Sequence, residues 1–171
     1  LVPVVNGKIT LQTYVASTNV VVDVAGYYTD ASGAGTDSYF PISPAARLAD
    51  TRPGVNIGLC PTAACSTPAA GAALEVKTAG QAGIPSTGVS AVVVSVAVIT
   101  PAADGFLRVG PASSGSGAAG TIDYDSGTTI SDVVVVPVDS NGRIKLIASS
   151  SVNIVIDVSG YLTDPAPGAS T

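Results

Sequence analysis

The stretch "RLADTR" places Arg47, Asp50 and Arg52 close together in the chain. An Asp flanked by two Arg offers two chemistries. The guanidinium forks can recognise a carboxylate or a sugar, since each presents several donors in a plane. Alternatively the one carboxylate satisfies both cations, and the trio is a structural ion-pair and turn network. The second role is the expected one. Further carboxylates stand at Asp123, Asp125 and Asp132 in "IDYDSGTTISD", and at Asp23 and Asp157 inside Val-rich segments. Calcium requires several convergent oxygens, and the first group lacks the spacing of a recognised calcium loop. Asp23 and Asp157 are expected on the solvent side or bonded to a neighbouring backbone N–H. No metal and no cofactor are expected.

Nucleophilic chemistry finds little support. The chain has no His, which excludes a Ser-His-Asp hydrolase. Paired carboxylates such as an Asp with Glu75 are formally able to cleave a glycoside, but no set of aromatics suggests a sugar cleft. "GPASSGSGAAG" (110–120) lacks the Lys of a phosphate-binding loop and reads as a surface loop. The Ser/Thr clusters at 113–116 and 148–151 are candidate carriers of O-linked sugar, and no N-x-Ser/Thr sequon occurs. The chain is read as non-enzymatic.

Cys60 and Cys65, in "LCPTAACS", suit a small disulfide-closed loop, with Pro61 helping the turn. The other reading is a pair of free thiols in a reducing compartment. A metal site would want more ligands. So short a loop adds little global stability and mainly shapes its own segment. A disulfide also points to an oxidising, extracellular location.

Composition describes the scaffold. Val and Ala dominate the apolar residues, Gly and Pro are frequent, and Trp and Met are absent. Such a chain favours many short strands joined by turns. The expected fold is all-β, an antiparallel β-sandwich of short strands. The net charge is −5, and the seven Lys and Arg are scattered. That argues against a nucleic-acid surface and against anionic lipid. The longest apolar run is too short and too broken by Ser to span a bilayer. The chain opens on "LVPVVNGKI" without a signal peptide, so Leu1 is read as something other than the start of translation.

The chain also repeats itself. "NVVVDVAGYYTD" (19–30) and "NIVIDVSGYLTD" (153–164) agree in eight of twelve places at a constant offset of 134 residues. Upstream, "VPVVNGKITL" (2–11) resembles "VPVDSNGRIKL" (136–146), with one extra residue before the second turn. Each copy reads as strand, Asn-Gly turn, strand, polar turn, strand, because Asn-Gly supplies the positive φ angles of a tight hairpin. Alternation assigns Ile9, Leu11, Thr13 and Val15 to one face, with Ile144 and Leu146 equivalent. It likewise groups Val20, Val22 and Val24, with Ile154, Ile156 and Val158 equivalent. Each copy is therefore expected to be a three-stranded meander with a buried face. Between them, "VSAVVVSVAVIT" sets Val92, Val94, Val96 and Val98 on a core face, and "ALEVKT", "GFLRV" and "TIDY" are further strands.

The expected organisation is a partial repeat at 1–30, a linker at 31–38, a complete repeat at 39–164 and a second linker at 165–171. A 126-residue unit can hold its own core. An isolated meander cannot persist in water and must cover its apolar side.

The assembled motifs resemble a family. "YFPISPAARLADTRPG", "GIPSTGVSAVVVSVAVITP" and "VNIVIDVSGYLTD" are similar to a repeat domain common in secreted proteins of actinobacteria and some other bacteria. Its pattern runs F-x-P-x-x-P-x-R-L-x-D-T-R, a Gly-x-Pro turn, a Val-rich strand, and V-D-V-x-G-Y at the close. The resemblance covers 39–164 fully and 1–30 in part, and implies a secreted β module without catalytic residues.

The expected function is thus structural: a segment of an extracellular filament or surface assembly built from β-sandwich repeats. Its partners are copies of itself or adjacent repeats, joined by strand addition or packing through Ile9, Leu11, Val20, Val22 and Val24. The alternative is a non-catalytic glycan- or cell-wall-binding module using Arg47 or Arg52.

Overall fold

The computed structural model describes residues 5–12, 20, 22, 38–60, 64–115 and 120–163. Among them are eight strands and no helix: β1 (Ser38–Asp50), β2 (Ala73–Lys77), β3 (Val89–Ile99), β4 (Gly105–Pro111), β5 (Gly120–Tyr124), β6 (Ile130–Pro137), β7 (Arg143–Ala148) and β8 (Asn153–Thr163). They form two antiparallel four-stranded sheets, ordered β1-β8-β3-β6 and β2-β7-β4-β5. The all-β sandwich expected from composition is the fold observed.

The core lies between the sheets. Val92, Val94, Val96 and Val98 of β3 are fully buried, as their period-2 spacing predicts. Ile154, Ile156 and Val158 join them from β8, opposite Val76, Leu107, Val109, Ile144 and Leu146 of the other sheet. Each fully buried Val, Leu or Ile contributes about 1.5–3 kcal/mol relative to exposure.

The closing meander expected at 136–164 is not what forms. β6, β7 and β8 do not pair with one another. β6 lies beside β3, β7 between β2 and β4, and β8 between β1 and β3. The chain reverses at its Asn-Gly turn as expected, then crosses to the other sheet. Turn residues specify a reversal and not which sheet receives the next strand. β7 and β8 bury alternating apolar residues against the core, while β6, at a sheet edge, buries only Val134 and Val136.

The two Asn-Gly turns differ as their lengths require. Asn6 and Gly7 have φ of 52° and 72°, and Val5 and Lys8 exchange both backbone hydrogen bonds. That is a two-residue hairpin turn. At the second site only Gly142 is left-handed (φ 65°), and the N–H of Asp139 donates to the carbonyl of Arg143 around a three-residue loop. Asp139 Oδ1 accepts from the N–H groups of Asn141 and Arg143. The additional residue in this copy thus changes the turn type. Among the described residues of 1–30, the Val5–Lys8 bridge is the only strand-like pairing, and 9–12, 20 and 22 lie outside strands; Thr13, Val15, Asp23, Val24 and Tyr27, on which the rest of the expected meander falls, lie outside the described residues.

Candidate functional site

The candidate site forms where β1 ends beside β8. A bulge controls it. Arg47 pairs with Asp157 and Ala49 with Ile156, so Leu48 is an extra residue on β1. Leu48, Ala49 and Asp50 are consequently buried in succession. Thr51 then anchors the strand end to β8: its N–H donates to the carbonyl of Ile154, and its hydroxyl accepts from the N–H of Ile154 (2.7 Å).

The side chain of Asp50 is fully enclosed and saturated with donors. Oδ1 accepts from the backbone N–H (3.1 Å) and Nε (2.9 Å) of Arg52. Oδ2 accepts from Arg52 Nη2 (2.6 Å) and Arg47 Nη1 (2.7 Å). The hydrogen bond from the Arg52 side chain, assisted by both positive charges, holds the Asp50 carboxyl below the usual carboxylate range although burial opposes it. Arg47 also pairs with Asp157, Nε to Oδ1, at 2.5 Å. The structure therefore brings Arg47, Asp50 and Arg52 together, as their spacing suggested. It adds Asp157, a residue from a strand more than a hundred positions away.

This network supports a turn. Pro53 and Gly54 reverse the chain, the N–H groups of Val55 and Asn56 donate to the carbonyl of Arg52, and Ile57 exchanges two backbone hydrogen bonds with Asp50. Two residues on, the carbonyl of Leu59 accepts from the N–H of Lys77 at the end of β2. Residues 57–59 thus bridge the edge strands of the two sheets. The Cys60–Cys65 disulfide sits against this bridge. Asn56 Nδ2 donates to the carbonyl of Cys65 (3.2 Å). Gly58 (φ 112°) has no room for a side chain, since a Cβ there would lie 2.8 Å from the carbonyl oxygen of Leu48 and 2.9 Å from Cys65 Sγ. The expected pairing of Cys60 with Cys65 is the observed one.

No family model matches the chain, and no curated protein matches it. The reading of the site therefore rests on its geometry.

At the other end of β1 the "SGY" sequence of β8 takes its meaning. Val94 and Val93 oppose Val158 and Gly160, so Ser159 is a bulge residue. Past it Tyr161 faces Val92, packs against the core and stacks on Phe40 with ring centroids 5.3 Å apart. Gly160 lies under the ring of Tyr39, whose hydroxyl donates to the carbonyl of Ser159. Tyr39 and Phe40 remain partly exposed at 44% and 43%. Tyr161 is therefore a packing residue.

Other candidates are dispersed or occupied. Among the described residues no three acidic or Cys side chains converge, so Asp123, Asp125 and Asp132 do not form a cluster. Asp132 Oδ1 accepts from the N–H of Val133 on the β6 edge. Asp157, expected to face solvent or a backbone N–H, lies on the solvent side about one-third exposed, and pairs there with Arg47, which the β1–β8 register sets opposite it. The serines at 149–151 are engaged internally: Ser149 Oγ accepts from the N–H of Phe106, Ser150 Oγ lies 2.8 Å from the Tyr124 hydroxyl, and Ser151 donates to the carbonyl of Pro68. Of the residues expected to mediate assembly, Ile9, Leu11, Val20 and Val22 are exposed, at 43–59%. Val24 lies outside the described residues.

Proposed function

We propose that the chain is a structural module of an extracellular filament or surface assembly, built from β-sandwich repeats of the kind its motifs resemble. Its partners are other copies or adjacent repeats. The observation that carries this reading is the exposure of Ile9, Leu11, Val20 and Val22 beside an eight-stranded sandwich whose core is already filled. Apolar strand-forming residues in that condition gain by adding to, or packing on, a neighbouring molecule. A contact of this type is head-to-tail and does not close, so it propagates. The disulfide supports an oxidising location. In this reading the Arg47–Asp50–Arg52–Asp157 network fixes the β1 end and has no catalytic role.

The test is removal of residues 1–30. The shortened chain is expected to melt cooperatively and to stay monomeric by light scattering, while the full chain forms linear polymers visible by electron microscopy. Polymers of equal length from both chains would refute the reading.

A glycan- or cell-wall-binding role is the second reading. The exposed rings of Tyr39 and Phe40 on the same edge strand as Arg47 favour it. Retention on purified cell wall, lost on Arg47→Ala or Arg52→Ala in a chain that still folds, would support it.

A further inference from the structure

Of the seven Lys and Arg that lie apart in the sequence, the strand register collects four on one surface. Lys77 stands opposite Arg143 across β2 and β7. Lys145 stands opposite Gly110 across β7 and β4, and Arg108 is two residues away along β4. The alternate residues Val76, Ile144, Leu146, Leu107 and Val109 are buried in the core. The four cations therefore share the outward face of the sheet β2-β7-β4-β5. Neighbours on one sheet face are about 5–8 Å apart, whether opposite, diagonal or two residues along a strand. Lys77, Arg143, Lys145 and Arg108 thus form a track across three strands. Among the described residues the same face carries two carboxylates, Glu75 and Asp123. It is a positive surface on a chain of net charge −5.

Among the described residues, no carboxylate is ion-paired with any of the four. The ion pairs join Arg47 to Asp50 and Asp157, and Arg52 to Asp50, all at the β1 end. On the sheet face neutral groups hold the cations instead. Lys77 Nζ donates to the carbonyl of Asn141. Lys145 Nζ donates to the carbonyls of Ser114 and Gly115. The Arg108 guanidinium lies over the ring of Phe106, 4.9 Å from its centroid. Arg143 Nη1 is buried without a hydrogen-bond partner. Carbonyls and a ring fix where a cation sits and leave its charge uncancelled. Much of the cost of ordering these side chains is thereby met before any ligand arrives.

We propose that this face binds a carboxylated polysaccharide, with Arg108 as the fork for one carboxylate and Lys77, Arg143 and Lys145 as the field along which the polymer lies. Charge complementarity gives the sign of the ligand. Spacing gives its charge density. A nucleic-acid duplex carries one negative charge per about 1.7 Å of its axis, which four cations interspersed with Glu75 and Asp123 do not match. A polymer with at most one carboxylate per sugar does match cations about 5–8 Å apart. Arg108 is exposed, and its planar donors fit a carboxylate. Recognition by charge needs no row of aromatic rings. The inference does not rest on the filament reading, and its site is separate from Arg47 and Arg52, whose charges Asp50 and Asp157 already satisfy.

The test is binding of the full chain to immobilised polygalacturonate, with neutral pullulan and a DNA duplex as comparators. Binding to polygalacturonate is expected at low salt and is expected to vanish at about 0.5 M NaCl, where screening shortens to about 4 Å. Pullulan is expected not to bind, and DNA to bind more weakly. Arg108→Ala is expected to weaken binding about tenfold, as loss of a charge-assisted hydrogen bond does. Lys77→Gln with Lys145→Gln is expected to weaken it further, while Lys8→Ala leaves it unchanged. Thermal melts check folding, and should the double variant melt early, Arg108→Ala decides, since its side chain is exposed. Undiminished binding by Arg108→Ala, equal binding to pullulan or tighter binding to DNA overturns the proposal. So does salt-sensitive self-association that Arg108→Ala abolishes without any binding to polygalacturonate, which would assign the face to a second copy.

Discussion

Ile9 and Leu11 stand exposed after one Asn-Gly turn, while Ile144 and Leu146 are completely buried after the other. Val20 and Val22 are about half exposed, whereas Ile154 and Ile156 are not exposed at all. The sequences are near copies, so intrinsic strand propensity does not account for the difference. Neighbours do. β7 is enclosed by β2 and β4, and β8 by β1 and β3. Residues 1–30 contain counterparts of two central strands from two different sheets, and no counterpart of β1 to β5. An apolar face is a requirement that a segment imposes on its surroundings, and only one of the two copies has it met by the sandwich.

The widest contrast is in the core. Ile156→Ala is expected to cost about 2–5 kcal/mol through lost burial and a residual cavity, while Val22→Ala stays within about 0.5 kcal/mol, as exposed substitutions do. Urea unfolding of the two variants measures both. Equal costs would mean that residue 22 is buried in solution.

Next come the two turn glycines. Alanine at either 7 or 142 must adopt a left-handed conformation, which costs about 1–2 kcal/mol locally. At 142 the added Cβ would also overlap that of Ala79, whereas nothing lies within 4 Å of the equivalent atom at 7. Gly142→Ala is therefore expected to lower the global unfolding midpoint by more than the backbone strain alone. Gly7→Ala is expected to leave that midpoint in place.

The electrostatic contrast is smaller. With its carboxyl held below the ordinary value near about 4, Asp50 stabilises the fold at neutral pH. That contribution is present above the unfolded-state pKa and is lost as pH falls through the lower folded value. A Tm profile from neutral to strongly acidic pH should decline at its acid end, and Asp50→Asn should remove that part of the decline along with stability at neutral pH. Asp157→Asn is expected to cost only about 0.2–1 kcal/mol, since both it and Arg47 are one-third exposed.

Much of the scaffold was legible because period-2 alternation is a local signal. Val92 to Val98, Ile144 with Leu146, and Ile154 with Ile156 were assigned to buried faces, and those faces are buried. The Cys60–Cys65 pair and the Arg47–Asp50–Arg52 cluster were legible because their members are close in sequence. What was not legible depends on register. Nothing local shows that β6 and β7 part company into different sheets. Nor does it show that bulges at Leu48 and Ser159 bury three successive residues and turn Tyr161 toward Phe40. Asp157 as partner of Arg47, and Tyr39 above Gly160, likewise follow from strand pairing across more than a hundred residues.

The most direct test of the account is amide hydrogen exchange of the full chain over a wide range of protein concentration. The account predicts that the amides of Ile9 to Leu11 and of Val20 to Val22 exchange fast in dilute solution and become protected as concentration rises, while those of β8 are protected throughout. Fast exchange at those positions at every concentration would contradict it.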